Sequence, residues 1–407
     1  MIKTDIPTAP PRPVVNLHSF DPIPDAGIRR ATELMEKGLL YRYSCSEPED
    51  SEVALLEKEF AKYVGARFAI TVNSCGSALY LSLLCLGVKP GDKVLSSAFT
   101  YTAVPSAIVH AGAKPVLVEC TRDYCIDTED LREKITAETK VLLISHMRGH
   151  VSEMDEVVNI CEEKGVKLVE DCAHSHCVTY NGTHTGLFGS AGCFSTQSHK
   201  MMNSGEGGFL ITNDEEIIAK MILYTGSQET FWRKHFLGSQ SLEDLLSKYQ
   251  ELIPNLSMRM SNAAAAMLRS QIPLMEGWAT TYSRNYNALV DILSESEYIE
   301  LPTPNPKVRR APNTIQFNLL GMDMAKVDAF LKYLSPYGIN IKMFGAKGNP
   351  RLFKSWKYIN GIENVHLPRT ESLLLYACDL PLPLSLTQES IELLGEKILE
   401  TLKRVMD

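Results

Sequence analysis

Leu168-Val-Glu-Asp-Cys-Ala-His-Ser175 and Gly192-Cys-Phe-Ser-Thr-Gln-Ser-His-Lys-Met-Met-Asn-Ser-Gly-Glu-Gly-Gly208 are the stretches on which the reading of this chain turns. The first reads as a buried apolar strand that ends in Glu170-Asp171. The second reads as a strand ending near Ser195, a turn carrying Lys200, and the glycine-rich corner Gly205-Glu-Gly-Gly208. An aspartate at a strand end, a histidine three residues on, and a lysine ahead of such a corner suit one chemistry in particular. A lysine amine forms a Schiff base with pyridoxal phosphate (PLP), and a carboxylate keeps the pyridine nitrogen protonated so that the ring acts as an electron sink.

Upstream of these stretches, strands and helices alternate. Strands are read at 68–72, 93–97, 115–119, 140–145 and 166–170, with two more at 191–195 and 208–212. Helices are read at 53–64, 78–86, 102–111, 127–135 and 152–164, the last opened by a capping-box pattern at Ser152 and Asp155. This alternation implies an α/β fold with a mainly parallel sheet covered on both faces. Ligands bind at the carboxyl ends of such strands, which places 73–77, 99–101, 146–149, 171–174 and 195–200 on one rim. Beyond Glu215 the alternation stops. Residues 225–255 read as irregular with a short helix near 242–252, and Met260 to Leu293 as one long helical pattern. A strand at 314–319, a helix at 324–337, a strand at 339–344 and a last helix at 387–406 make a small C-terminal α+β domain. The expected organisation is an N-terminal arm over 1–24, a large domain over 25–265, and a linking helix with the small domain over 266–407.

Composition bounds the class. The chain has 407 residues, 44% apolar and 22% charged, with a net charge of -8. That is ordinary for a globular protein, and the absence of a long basic run argues against nucleic acid or a membrane surface as partner. No apolar run approaches the ~20 residues of a spanning helix, and the proline-rich N-terminus has no apolar core of a signal peptide. The ten cysteines form no Cys-x-x-Cys pair. They read as buried free thiols in a reducing cytoplasm, and no metal site is expected.

Each rim residue has two readings. Gly76-Ser77 opens a helix after a strand, either as an anion site made of free backbone N–H groups or as a plain βα turn. Tyr101 stacks on a pyridine ring or is a core aromatic. Asp171 needs a partner in its apolar setting, either a pyridinium or backbone donors. His174 lies near a ring hydroxyl or is structural. Most lysines are surface charges; the setting of Lys200 between Ser195 and the glycine corner sets it apart.

In combination, Cys75-Gly-Ser77, Phe99-Thr-Tyr101, His146-Met-Arg-Gly149, Met154-Asp155, Glu170-Asp-Cys-Ala-His174, Phe194-Ser195 with Lys200, and Gly205-Glu-Gly-Gly208 resemble the DegT/DnrJ/EryC1/StrS family of PLP-dependent sugar aminotransferases. The resemblance runs from about residue 25 to Asp379–Thr387. It implies the type I PLP-dependent aminotransferase fold and a homodimer with its active site at the subunit interface. It makes Lys200 the Schiff-base lysine, Asp171 the partner of the pyridine nitrogen, His174 the residue facing the ring hydroxyl, and Tyr101 the stacking aromatic. Gly76, Ser77 and Ser195 match the phosphate cradle. The chain departs from the family at three places. Around the asparagine that the second subunit usually adds, it reads Pro254-Asn-Leu-Ser-Met-Arg-Met260; Asn255 is taken for that role, although Ser257 falls there when the stretch is aligned on Arg259. Arg148 stands where many members carry tyrosine, and an arginine fork suits a substrate carboxylate or a network around Asp155. Gly38-Leu-Leu-Tyr-Arg-Tyr-Ser-Cys45 replaces a more regular loop at the substrate mouth, with Tyr43 taken as substrate-facing. The function expected is transfer of an amino group from L-glutamate or L-glutamine to a keto acceptor, foremost a ketosugar, carboxylated or not. PLP-dependent elimination, replacement or carbon–carbon bond formation on an amino acid is the alternative. A non-catalytic regulator fits poorly with an intact Lys200, Asp171 and His174.

Overall fold

The computed structural model describes residues 16, 17, 19–227 and 229–407, so most of the expected arm lies outside the described residues. Its strands in chain order are β1 Phe68–Val72, β2 Lys93–Ser97, β3 Lys114–Val118, β4 Thr139–Ser145, β5 Lys167–Asp171, β6 Thr179–Tyr180, β7 Thr183–His184, β8 Ala191–Ser195, β9 Gly208–Thr212, β10 Ile299–Glu300, β11 Val308–Arg309, β12 Thr314–Leu319, β13 Lys342–Met343 and β14 Ala377–Pro381. Seven of them form the main sheet in the order β1-β9-β8-β5-β4-β2-β3. Only β9 runs against its neighbours. The strands read as unbroken apolar runs because both faces are covered. Leu142, Ile144 and Leu168 point into the core on one face, and Val141, Leu143 and Val169 into the core on the other.

The second sheet, β10-β12-β14-β13, is antiparallel throughout. Its core takes Leu289 and Leu293 from the helix Met275–Leu293, Val327, Phe330 and Leu334 from Met324–Leu334, and Leu394, Ile398 and Leu402 from Gln388–Met406. Leu17, from the arm, is buried in the same core. Phe344, Phe353 and Trp356 cross back to pack on Phe99, Tyr124 and Met147 of the main-sheet unit. Glu119 fastens this crossing: its carboxylate accepts from Thr370 N at 2.8 Å and Thr370 Oγ1 at 2.6 Å.

Local signals differ from expectation at three places. The helix after β1 spans Cys75–Cys85, three residues earlier than its apolar pattern suggests, because the Ser74 hydroxyl accepts from Ser77 N and caps it. The helix Met154–Lys164 has no capping box, since Ser152 Oγ is turned to Ile126 N at 3.1 Å. The long pattern over 260–293 is broken into Asn262–Arg269, a 3-10 turn at Ile272–Leu274, and Met275–Leu293. Pro273 has no N–H to donate and breaks the ladder there. Ala265, Leu268, Met275 and Ala279 belong to the main-sheet core and Leu289 to the other, so the two cores meet along the last of these helices. All ten cysteines are free, eight of them buried. Among the described residues no helix is long and apolar enough to cross a membrane.

Candidate active site

The carboxyl ends of β1, β4, β5 and β8 open on a cavity of about 530 Å³, lined by Ser74, Cys75, Gly76, Tyr101, Arg148, Asp171, His174, Ser195 and Lys200, with Arg351, Lys342 and Asp379 from the small-domain side. Asp171 ends β5 and is buried. In the parallel register it stands beside Ser145 of β4, whose hydroxyl donates to Oδ2 at 2.7 Å, and Ala173 N donates to Oδ1 at 3.1 Å. Among the described residues, no cation is in ion-pair contact with it. A buried carboxylate with no cation in contact is costly, and a ligand carrying a protonated ring nitrogen relieves that cost.

Lys200 follows β8 on a loop held at both ends. Thr196 N and Ser198 N donate to the carbonyls of Gly207 and Gly205 at 3.0 Å each. Gln271, in the kink made by Pro273, accepts from Asn203 N at 2.8 Å and donates to Asn203 O at 2.7 Å. The helix break thus serves the lysine loop. Lys200 Nζ lies 2.8 Å from His174 Nε2. Burial pushes the Lys200 pKa down to about 7, with Arg148 adding to the effect and Asp171 opposing it. Burial and the charge of Lys200 hold His174 well below the ordinary imidazole value, so the imidazole is neutral beside the amine.

At the other end of the cavity, Cys75 and Gly76 are the first helical residues after the Ser74 cap and belong to its lining, and N–H groups in a first helical turn have no intrahelical acceptor. Gly208 lets β9 approach this helix end: a Cβ there would sit 2.7 Å from Cys75 N and 2.6 Å from Phe194 O. The donor set and the helix dipole suit a phosphate. Ser195 and Ser74 add hydroxyls to the lining. These residues fit PLP: an anion cradle, an amine that is half unprotonated near neutrality, and a carboxylate in want of a cation.

Two expected site residues stand elsewhere, and a third, Asn255, is assigned to the cavity of a second subunit. Ser77 does not line the cavity; its hydroxyl donates to Asn73 Oδ1 at 2.7 Å, and Ser74 takes the place expected for it. Tyr43 is buried, 2.8 Å from His235 Nε2 and stacked on Phe231, because Arg42 beside it is drawn inward by Glu57. Asn255 is exposed and accepts from Ser257 N at 2.6 Å, away from this chain's own cavity. Arg148 does line the cavity, in a left-handed conformation at φ 58°, but its guanidinium is bonded to Asp379 rather than to the Asp155 region. Ser74, Gln271, Arg351 and Asp379 were not legible as site residues. Ser145 could have been found, since parallel pairing places it beside Asp171.

The Lys200 shift has a measurable consequence. Between about pH 7 and the ordinary lysine value of 10.5, the unfolded chain binds a proton here that the folded chain does not, so stability rises with pH across that window. The change in urea midpoint of the cofactor-free protein from pH 7 to pH 10 is expected to be less favourable in Lys200→Met than in wild type, by the contribution of this amine. An unchanged difference between the two midpoints would show that the amine is not buried as described.

A parallel-sheet unit with a lysine, an aspartate and a helix-end anion cradle on one rim, joined to a small α+β unit, is the type I aminotransferase fold. The family model of the DegT/DnrJ/EryC1/StrS aminotransferases matches residues 45–399, and the chain belongs to that family. It is 31% identical over 252 residues to the spore coat polysaccharide biosynthesis protein SpsC of Bacillus subtilis (strain 168), a match covering 61% of each chain. It is 29% identical over 249 residues to GDP-perosamine synthase of Escherichia coli O157:H7, covering 59% of this chain and 65% of that one. The matched stretches thus span less than two thirds of these relatives. The aminotransferase from Psychrobacter cryohalolentis superposes with a TM-score of 0.83 at 21% identity, covering 96% of this chain and all of the other.

Proposed function

We propose that this protein is a PLP-dependent aminotransferase that moves an amino group from an amino acid, L-glutamate or L-glutamine, to a keto acceptor, foremost a ketosugar, with or without a carboxylate, in a biosynthetic pathway. The observation that carries the reading is the contact of Lys200 with His174 at 2.8 Å in a cavity that also holds the unpaired carboxylate of Asp171. Family membership supports the reaction, and relatives named for polysaccharide biosynthesis and perosamine synthesis support a sugar acceptor.

PLP bound here would supply the electron sink that labilises the proton on the donor carbon. Lys200 would tether it and carry that proton, a task suited to an amine whose pKa of about 7 lies near the working pH. Asp171, fixed by Ser145 and Ala173, would hold the proton on the ring nitrogen. Neutral His174 orients the lysine amine without repelling it. Cys75 and Gly76 N–H groups with Ser74 and Ser195 would hold the phosphate, and the Tyr101 ring would cover one face. The overall exchange balances: amino acid and ketone become keto acid and amine. A homodimer is part of this reading, with Asn255, which turns away from its own cavity, offered to the other subunit. Free thiols throughout fit a cytoplasmic setting.

The test is a half-reaction of PLP-loaded protein with L-glutamate. The visible band of the loaded protein is expected to decay while one equivalent of 2-oxoglutarate appears. A band that persists with glutamate, glutamine and alanine, while an amino acid bearing a β-leaving group releases pyruvate and ammonia, would give the elimination reading the lead.

A further inference from the structure

A second cavity, of about 760 Å³, opens where the proline-rich segment 302–312 passes the starts of the helices Thr128–Lys134 and Met154–Lys164. Arg310, His150, Tyr286, Asn287, Glu129 and Glu156 stand in its wall, and it shares no lining residue with the Lys200 cavity. The segment is tied in place. Thr303 N donates to Asp123 Oδ1 and Asn305 Nδ2 to Glu153 Oε1, at 2.7 Å each, and Lys307 Nζ donates to Glu153 Oε2 at 2.9 Å. Pro302, Pro304, Pro306 and Pro312 fix φ along it, so the cavity is preformed. Arg310 is its cation. Nη1 donates to Tyr286 Oη at 3.1 Å, and Nη2 donates to the carbonyl of Arg148 at 3.1 Å. Nε is buried without a partner, and among the described residues no carboxylate pairs with this guanidinium. His150 beside it adds no charge, since burial and Arg310 hold its pKa well below the ordinary value. The solvent side has the opposite sign. Glu129 is exposed and, among the described residues, has no ion-pair partner, while Glu156 reaches Arg132 only at 4.0 Å. A simple anion would meet these carboxylates and a simple cation would meet Arg310. A molecule carrying both charges satisfies both.

We propose that this cavity is an effector site for a free α-amino acid with an apolar side chain. The carboxylate sits on Arg310, the ammonium group faces Glu129 and Glu156, and the side chain packs on Tyr286 and the prolines. The route from there to the Lys200 cavity is short. Arg310 holds the carbonyl of Arg148, whose guanidinium pairs with Asp379 in the wall of the Lys200 cavity. His150 Nε2 lies 2.8 Å from Gln316 Oε1, and Gln316 Nε2 donates to Asp379 Oδ1 at 2.9 Å. A carboxylate on Arg310 competes with the Arg148 carbonyl for the same donors, so occupancy is felt at the pair of Arg148 and Asp379.

The probe is N,N-dimethyl-L-leucine, a zwitterion whose tertiary amine cannot condense with an aldehyde, titrated by calorimetry into PLP-loaded protein. Isocaproate, which lacks the ammonium group, and N,N-dimethyl-L-leucinamide, which lacks the carboxylate, are the controls. The zwitterion is expected to bind more tightly than either, and Arg310→Gln to weaken it by about tenfold to a hundredfold. Glu129→Lys is expected to weaken the zwitterion and strengthen isocaproate, a reversal that loss of folding does not produce. Asn287→Trp fills the cavity, leaves Arg310 in place, and is expected to abolish binding. A zwitterion bound no more tightly than the controls, or binding that survives Arg310→Gln and Asn287→Trp, overturns the proposal. The effector role, which rests on the aminotransferase reading, is read in the half-reaction. Saturating probe is expected to raise the half-saturating concentration of L-glutamate by about fivefold or more in wild type, and not in Asn287→Trp. An unchanged value with the probe bound overturns the effector role. Wild-type protein that binds the probe through Arg310 but transfers amine from no amino acid overturns the aminotransferase reading, while the calorimetry upholds the site.

Discussion

Lys200→Ala protein is expected to fold, to lose the visible band that the wild type shows with PLP, and to lose amino transfer by about 10⁴-fold or more, as when an enzyme's nucleophile is removed. Folding is retained because the amine is held near neutral by burial, so its removal relieves a desolvation cost and leaves the loop anchors at Gly205, Gly207 and Gln271 in place. The cradle at Cys75 and Gly76 is untouched as well, so the variant still takes up PLP reversibly. Absorbance spectra before and after gel filtration, with circular dichroism as the check on folding, decide the matter. A Lys200→Ala protein that keeps the wild-type band through gel filtration would remove the basis of the proposed function.

Glu57→Ala is expected to cost about 3–5 kcal/mol, the penalty for stranding a buried charge. Glu57 lies on the helix Glu52–Val64 and accepts from Arg42 at 2.8 and 3.0 Å and from Thr71 N at 2.9 Å. Arg42 is completely buried. Arg42 Nη2 also donates to His235 Nδ1 at 3.1 Å, which leaves the imidazole proton on Nε2 to donate to Tyr43. Burial would raise the Glu57 pKa, but Arg42 and His235 outweigh it and hold it at about 2, while burial and Arg42 hold His235 at about 4. The signs agree. Below the ordinary imidazole value of 6.5 the unfolded chain gains a proton at His235 that the folded chain refuses until about 4, and below 4.5 the same holds for Glu57 until about 2. Stability from this cluster is present above 6.5 and lost stepwise on acidification through 2. Denaturant unfolding of wild type and Glu57→Ala at pH 7.5 measures the loss, and Glu57→Leu combined with Arg42→Met should recover most of it. A single variant within 1 kcal/mol of wild type would mean that water reaches Arg42.

The same cluster shows why Tyr43 was misplaced by sequence reading. Tyr41-Arg-Tyr43 on a loop between two helices looks like exposed, ligand-facing chemistry. Nothing local says that Glu57, fourteen residues on, lies against Thr71 and needs a cation, or that His235 closes the network. Ser77 failed for a smaller reason: either serine can cap a helix, and only the direction of the Ser74 hydroxyl settles which one faces the cavity.

The sequence by itself determined the alternation of strands and helices, the parallel sheet and the presence of Asp171, His174 and Lys200 on its rim. Those signals are local: apolar runs bounded by turns, an aspartate closing β5, a lysine between β8 and a glycine corner. Their distances along the chain are short enough for hydrophobic periodicity and turn preference to report them. The tertiary structure alone decided what those residues meet. It placed Gln271 on the lysine loop through a kink at Pro273, and Asp379 on Arg148 across the junction of the two cores. It also left Arg351 without a counter-charge in the cavity wall. The pairings join groups far apart in sequence, chosen because a buried donor, acceptor or charge must find a partner where packing puts it, and no local pattern carries that information.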